Sequence, residues 1–249
     1  MNSKLNFEKV RVFSSPSETV REFADFLEEL VNHPSNSNKY FNIALSGGNT
    51  PQLLFEELKL NYHDRINWSK LNFYWGDERC VKPESNESNY GNAKRTFLDD
   101  LQVPVNNIHR IKGENDPESE AESYSNEIKK NLESENGYPV FDLIILGLGK
   151  DGHTASIFPD QMHLLEIDKI CEVATHPDSN QKRITLTGKV INNAKNVVFL
   201  ITGEEKAEIL SIIIEKKNNF EDFPASYINP KFGNLVFFVD QYSGKGIIK

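Results

Sequence analysis

The stretch FDLIILGLGKDGHTASIFP, Phe141–Pro159, decides how the rest of the chain is read. It opens on a continuous apolar run, Leu143 to Leu146, as expected of a strand buried on both faces of a parallel sheet. Three glycines follow, Gly147, Gly149 and Gly152, and then a single histidine, His153. Open α/β sheets take their ligands just outside the carboxyl ends of the strands. A histidine delivered there by a glycine turn has access to a ligand, and imidazole ordinarily titrates near ~6.5, which suits proton transfer at neutral pH. Asp151, two residues earlier, is a candidate to hold the imidazole tautomer. The same glycines spell G-x-G-x-x-G, with Glu172 where the ribose-binding acid of a dinucleotide site would fall. That pattern needs a long helix straight after the glycines, and Pro159 cuts one off within two turns. Nucleotide binding is therefore not expected.

On either side of this stretch, strand and helix alternate. Strands are expected over 9–13, 40–45, 71–75, 183–187, 196–202 and 235–239. The first helix announces itself by a capping box, with Ser15 at N-cap, Pro16 at N1 and Glu18 at N3. Val20, Phe23, Ala24, Leu27, Leu30 and Val31 then recur at helical spacing. Further helices are expected over 51–60, 88–101, 117–135 and 204–215, with a short one ending at Ala194. A long polar loop is expected over 76–87. The alternation predicts an α/β fold, a Rossmann-like open and mostly parallel sheet with helices on both faces. No linker or internal repeat divides residues 1–249, so one domain is expected. The less regular stretches 101–112 and 161–185 leave room for a small appended subdomain.

Composition narrows the function. The chain has 249 residues, 38% of them hydrophobic and 16 of them Phe, enough for a full core. A net charge of −9 argues against a nucleic-acid partner, which would want a basic face. It leaves room for an anionic small molecule, because a few converging cations and backbone N–H groups make a locally positive pocket. Cys80 and Cys171 lie far apart without metal-ligand spacing, which fits buried thiols in a reducing, cytoplasmic setting. Residues 1–6 are polar with no apolar segment behind them, so no secretory signal is expected. No apolar run approaches the ~20 residues of a membrane-spanning helix. No two histidines share a metal-binding spacing, so no metal is expected. His33, His63, His109, His163 and His176 lack the context of His153 and are expected at the surface or in packing roles.

Three more segments carry candidate chemistry. Ser46-Gly47-Gly48-Asn49-Thr50-Pro51 joins a strand to a helix start, where two glycines allow close approach and free N–H groups favour an anion. It lacks the lysine of a nucleotide P-loop, and the alternative is an ordinary tight turn with Thr50 as N-cap. Trp75-Gly76-Asp77-Glu78-Arg79 also follows a strand. There Asp77 or Glu78 is placed to orient Arg79 by an ion pair, leaving its guanidinium to meet an anion or a carbonyl; the alternative is a solvated polar loop. Arg183 opens the strand RITLT, and Lys206 falls in the first turn of the last helix, where it opposes the macrodipole unless an anion is bound. Ser156 has no G-x-S-x-G elbow around it and little claim to be a nucleophile.

Taken in order, SGGNTP at Ser46–Pro51, FYWGDERCV at Phe73–Val81, ESN at Glu87–Asn89, LGLGKDGHTASIFP at Leu146–Pro159, RITLT at Arg183–Thr187 and LITGEEKAEIL at Leu200–Leu210 resemble the 6-phosphogluconolactonase family. The resemblance runs from about Ser46 to Val239. It implies the glucosamine-6-phosphate deaminase and ribose-5-phosphate isomerase-like fold. It also implies hydrolysis of 6-phospho-D-glucono-1,5-lactone to 6-phosphogluconate, without metal or organic cofactor. His153 takes the place of the family histidine thought to activate water. Ser46, Gly47, Gly48, Asn49, Thr50, Asp77, Arg79, Arg183 and Lys206 fall on substrate-binding positions. Asn49 departs from the Ser or Arg more usual after the two glycines, and FFVDQYSG at the C-terminal end is a loose match. Two rivals stand beside this reading. One is an amino-sugar-phosphate deaminase or isomerase, whose motifs run GHIAFNEP and DEY where this chain has GHTASIFP and GDER. The other is a non-catalytic sugar-phosphate sensor, which usually carries a DNA-binding helix-turn-helix.

Overall fold

A computed structural model describes residues 9–36, 39–101, 103–217 and 219–247. The polar residues 1–6 read for a secretory signal lie outside these. In chain order the first strands and helices are β1 (Val10–Phe13), α1 (Pro16–Val31), β2 (Phe41–Leu45), α2 (Asn49–Asn61), β3 (Leu71–Trp75), β4 (Asp77–Arg79), α3 (Asn89–Ala93) and α4 (Pro117–Asn131). There follow β5 (Ser134–Glu135), β6 (Tyr138–Pro139), β7 (Leu143–Leu146), β8 (Cys171–Thr175), β9 (Lys182–Leu186), α5 (Gly188–Ile191), β10 (Asn196–Ile201), α6 (Ala207–Glu215) and β11 (Asn234–Asp240).

Six strands form one all-parallel sheet in the order β1-β11-β10-β7-β2-β3. The strands at its centre read as expected, because every residue of β7 and of β10 is buried. From β2 the chain steps outward to β3; from β7 it steps the other way, to β10. The topological switch point therefore lies between β2 and β7, where an open α/β sheet presents a ligand crevice. The loops leaving those two strands are SGGNT and GLGKDGH.

The relative level of those loops is set by strand register, and polar residues at the opposite strand ends pin it. Asn72 donates through Nδ2 to Asn42 Oδ1 (3.0 Å), and the Asn42 N–H donates to Asp142 Oδ2 (2.8 Å). Asn196 Nδ2 donates to the Asp142 carbonyl (2.9 Å), and Asn234 Nδ2 to Asn196 Oδ1 (2.9 Å). A one-residue slip would break each of these bonds and turn every core side chain to the wrong face.

Helix α1 begins where its capping box places it. Ser15 Oγ accepts the Glu18 N–H at 3.2 Å, while the Glu18 carboxylate reaches the Ser14 N–H at 2.8 Å rather than that of Ser15. Helix α2 starts two residues before Pro51, with Gly48 rather than Thr50 at its N-cap. The expected helix over 88–101 is five α-helical residues followed by a wider turn, Lys94–Leu98. The expected helix over 117–135 ends at Asn131, and the one over 204–215 opens with a 3₁₀ turn, Glu204–Lys206, ahead of α6.

The main departure is a second sheet. Residues 76–87, expected as loop, contain β4, which pairs antiparallel with β9, and β9 with the unexpected strand β8. The strand expected over 183–187 thus leaves the parallel sheet, and 161–185 contributes a small antiparallel layer. The described residues of 101–112 do not join it; there the His109 N–H donates to the Phe73 carbonyl (2.8 Å), covering the free edge of β3. The Leu186 N–H donates to the Gly76 carbonyl (2.8 Å), and the Gly76 N–H to the Leu45 carbonyl (2.8 Å), which joins the small sheet to the carboxyl ends of the main strands.

Candidate active site

A cleft with about 560 Å³ of empty space, open to solvent, lies at the switch point. Ser46, Gly47, Gly48, Asp77, Arg79, His153, Arg183 and Lys206 line it, together with Asn89, Gly147, Leu148, Gly149 and Ala155. Asn49 and Thr50 do not. They already belong to the first turn of α2, and Thr50 Oγ1 bonds with Thr202 Oγ1 (2.8 Å).

His153 stands at the end of the turn that follows β7. Its Nδ1 bonds with Asp151 Oδ1 at 2.6 Å, and its ring packs 4.8 Å from Phe158. Asp151 touches the histidine and not the cleft. Burial, the largest influence on the Asp151 carboxyl, pushes its pKa up; the imidazole, through hydrogen bond and charge, and backbone N–H groups outweigh it, and the net shift is downward. An ionised Asp151 accepts the Nδ1 proton, which leaves Nε2 as the basic nitrogen. The residue at 149 must be glycine for this pair to form, because a Cβ there would overlap both the His153 ring and the Asp151 carboxylate.

Opposite, the small sheet delivers the cations. Its antiparallel register sets Arg79 directly across from Arg183. Like charges at such a pair repel, so an anion between or beside them is favourable. Both Nε atoms are buried without a hydrogen-bond partner. Burial lowers the Arg183 pKa, and Arg79 adds to this against the pull of Asp77. Lys206 reaches the cleft from the 3₁₀ turn ahead of α6. Burial lowers its pKa as well, Lys150 adds to that, and Glu205 and Asp151 oppose it. Three cations that are all partly desolvated form a site suited to a phosphate-sized anion.

Arg79 is not held by the expected ion pair. Its Nη1 donates to the Glu87 carbonyl (2.6 Å). Glu78 turns the other way and is almost wholly buried. Its carboxylate accepts the N–H groups of Arg79 (2.7 Å), Asn89 (2.8 Å) and Tyr90 (2.8 Å) and the hydroxyl of Ser88 (3.0 Å). Asp77 is also buried, with Ser156 Oγ donating to its Oδ2 at 2.7 Å. Ser156, rejected as a nucleophile, thus orients an acidic side chain of the cleft wall.

Sequence reasoning missed Asn89. Its Nδ2 donates to the Asp77 carbonyl (2.9 Å), and its Oδ1 is buried without a partner. It packs against Gly47 so closely that a Cβ there would overlap it. The ESN triplet was visible as a motif, but a lone Asn after a serine reads as turn chemistry. Nothing local says that residue 89 meets residue 47.

An open parallel sheet, a switch-point cleft, a carboxylate-held histidine and converging cations define the class: an α/β enzyme fold with a site shaped for a small anionic substrate. Residues 14–237 match the family described as glucosamine-6-phosphate isomerases/6-phosphogluconolactonase, and the chain belongs to that family. It is 43% identical over 212 residues to a 6-phosphogluconolactonase of Haemophilus influenzae, covering 85% of this chain and 87% of that protein. A 6-phosphogluconolactonase of Treponema pallidum is 39% identical over 196 residues, 79% of this chain and 81% of that one. The solved structure of 6-phosphogluconolactonase from Trypanosoma brucei superimposes with a TM-score of 0.86 at 27% identity, covering 98% of this chain and all of that one.

Proposed function

We propose that the protein is a 6-phosphogluconolactonase, hydrolysing 6-phospho-D-glucono-1,5-lactone to 6-phosphogluconate in the pentose phosphate pathway. The observation that carries this is the meeting, in one cleft, of a carboxylate-held imidazole with Arg79, Arg183 and Lys206. The relatives that share the family bear the same activity in their names.

In this reading the three cations and the N–H groups at 47 and 48 hold the phosphate and the lactone carbonyl, at roughly 1.5–3 kcal/mol for each charge-assisted bond. His153 Nε2 takes a proton from a water molecule as its oxygen adds to the carbonyl carbon. A tetrahedral oxyanion forms. The bond from that carbon to the ring oxygen then breaks, and the imidazolium returns its proton to the ring oxygen, which becomes a hydroxyl. The new carboxyl group loses its own proton to solvent at neutral pH. A lactone is an activated ester, so a positioned base suffices without a covalent nucleophile.

Asp151→Asn tests the tautomer. An amide places either a donor against Nδ1–H or a weaker neutral acceptor, so a charge-assisted bond is lost from the imidazolium state. At about 1.5–3 kcal/mol for such a bond, kcat is expected to fall roughly 10–100-fold with KM little changed. Unchanged kcat would remove Asp151 from the mechanism.

The activity itself is tested on freshly made lactone, followed over its spontaneous hydrolysis by coupling to 6-phosphogluconate dehydrogenase. Acceleration proportional to protein is expected. No acceleration by a folded sample would overturn the proposal, and release of ammonia from glucosamine 6-phosphate would replace it with the deaminase reading. The thiols fit a reducing, cytoplasmic location. Both are free, and burial pushes Cys80 up to about 11 and Cys171 up to about 12, far from reactive thiolates. No helix among the described residues is long and apolar enough to cross a membrane.

A further inference from the structure

The turn that carries His153 is braced from outside by a segment far away in sequence. Within the turn, the Gly152 N–H donates to the Gly149 carbonyl (3.1 Å) and the Gly149 N–H to the His153 carbonyl (2.8 Å). Gly152 itself is left-handed, with φ of 78°. Against its bare α-carbon lies Phe223, so close that a Cβ on residue 152 would come within 2.5–2.7 Å of the Phe223 Cδ1, Cγ and Cβ atoms. Two residues on, the Ala225 N–H donates to the Gly152 carbonyl (3.1 Å).

This brace is built from two short 3₁₀ turns, Phe220–Asp222 and Pro224–Tyr227. It is tied internally by Ser226 Oγ donating to the Phe223 carbonyl (2.8 Å). Its far end is fastened to the C-cap of α5, where Asn192 Nδ2 donates to the Tyr227 carbonyl (3.0 Å) and Asn192 Oδ1 accepts the Asn229 N–H (2.7 Å). The second turn also packs on Pro159–Leu165, the segment that leaves the histidine loop. The brace thus holds the loop on both sides of His153, and none of its residues lines the cleft.

We infer that Phe223 is a positioning residue for His153, clamping the Gly152 peptide so that the imidazole meets the attacking water in register. This rests on the lactonase reading for its kinetic arm only. A left-handed glycine with no contact on its α-carbon has several accessible conformations, and swinging that peptide moves the His153 backbone directly. A displacement of about 1 Å at a reacting group can cost on the order of 10²-fold in rate. The groups that grip substrate sit on other elements, so binding should not change.

The test is a comparison of Phe223→Ala, Phe223→Leu and a core control, Leu27→Ala, in helix α1, which packs on α2, β1, β10 and β11. Phe223→Ala is expected to lower kcat about 10–100-fold with KM within about threefold of the parent, and Phe223→Leu to restore most of the loss. Leu27→Ala should lower the melting temperature without the kcat loss. Independently of activity, the low-field proton resonance of the Nδ1–H···Asp151 bond should shift or broaden in Phe223→Ala and not in Leu27→Ala. A folded Phe223→Ala protein with kcat within about twofold of the parent and an unmoved resonance overturns the inference, as does a rise in KM that accounts for the whole effect. Should Phe223→Ala fail to fold, Asn192→Ala, which frees the far end of the brace, is read by the same resonance and the same split. Failure of the parent protein to hydrolyse the lactone would strike the proposed function, and the resonance would still decide the brace.

Discussion

His153→Ala is expected to fold and to lose most turnover. A positioned general base is worth about 10²–10⁴-fold, so kcat should drop by that factor toward the spontaneous rate. KM should move little, because Arg79, Arg183 and Lys206 are untouched. The fold should survive because the imidazole sits on a cleft wall, and among the described residues its side chain hydrogen-bonds only to Asp151. The Asp151 carboxylate is 43% exposed, so water replaces the lost partner. The pairing leaves a signature in stability against pH. Asp151 is held below its ordinary pKa in the folded protein, against the push of burial, with His153 among the groups that hold it there. Such a group contributes stability above its unfolded pKa, about 3.9, and loses it as pH falls through the folded value. Parent and variant should therefore differ in stability at neutral pH and converge in acid, as followed by thermal melting. Turnover within a few-fold of the parent would remove His153 as the base.

The parallel sheet was legible because its signal is local. The run LIIL is apolar at every position and its neighbours FNIAL and NVVFLI nearly so, and burial on both faces demands that pattern. The glycine turns after β2 and β7 were legible for the same reason. The small antiparallel sheet was not. Its β4 is DER, in which Asp77 and Glu78 are buried by hydrogen bonds rather than by apolar contact and Arg79 is half-buried, and its partner β9 lies about a hundred residues away. Pattern reading weighs hydropathy, and here Asp77 and Glu78 are inside because Ser156, Ser88 and three backbone N–H groups receive them. The same blindness hid Asn89 and Phe223. Each acts on a glycine, Gly47 or Gly152, that the sequence shows plainly, but the contact exists only in three dimensions. Thr50 shows the opposite error. A threonine before a proline reads as an N-cap, yet Gly48 takes that place and Thr50 turns to Thr202.

Glu78→Ala is expected to destabilise the protein more than any change at the cleft surface. The residue is 2% exposed, and its carboxylate closes the start of α3 onto β4 by three hydrogen bonds, from the Ser88 hydroxyl and the N–H groups of Asn89 and Tyr90, while also accepting the Arg79 N–H of β4. Burial is the largest influence on this carboxyl and pushes its pKa up, and the four donors only partly pull it back. The charge is therefore not a net source of stability; what matters is the set of donors left behind. An unsatisfied buried donor costs about 1–3 kcal/mol, so even with water entering the gap a loss of at least about 3 kcal/mol follows. For a chain of this length that is roughly 6–12 °C in melting temperature. Glu78→Gln separates charge from hydrogen bonding. One side-chain oxygen still accepts from Arg79 and Asn89, while the amide NH₂ faces Ser88, whose hydroxyl can turn to accept, and Tyr90, whose N–H then loses its partner. About half the loss is expected from that variant. Because Asn89 leans on Gly47 and Arg79 shares the β4 backbone, kcat/KM should fall in both variants through a raised KM. A Glu78→Ala protein melting within about 2 °C of the parent would show that the α3 start is held by something other than this carboxylate.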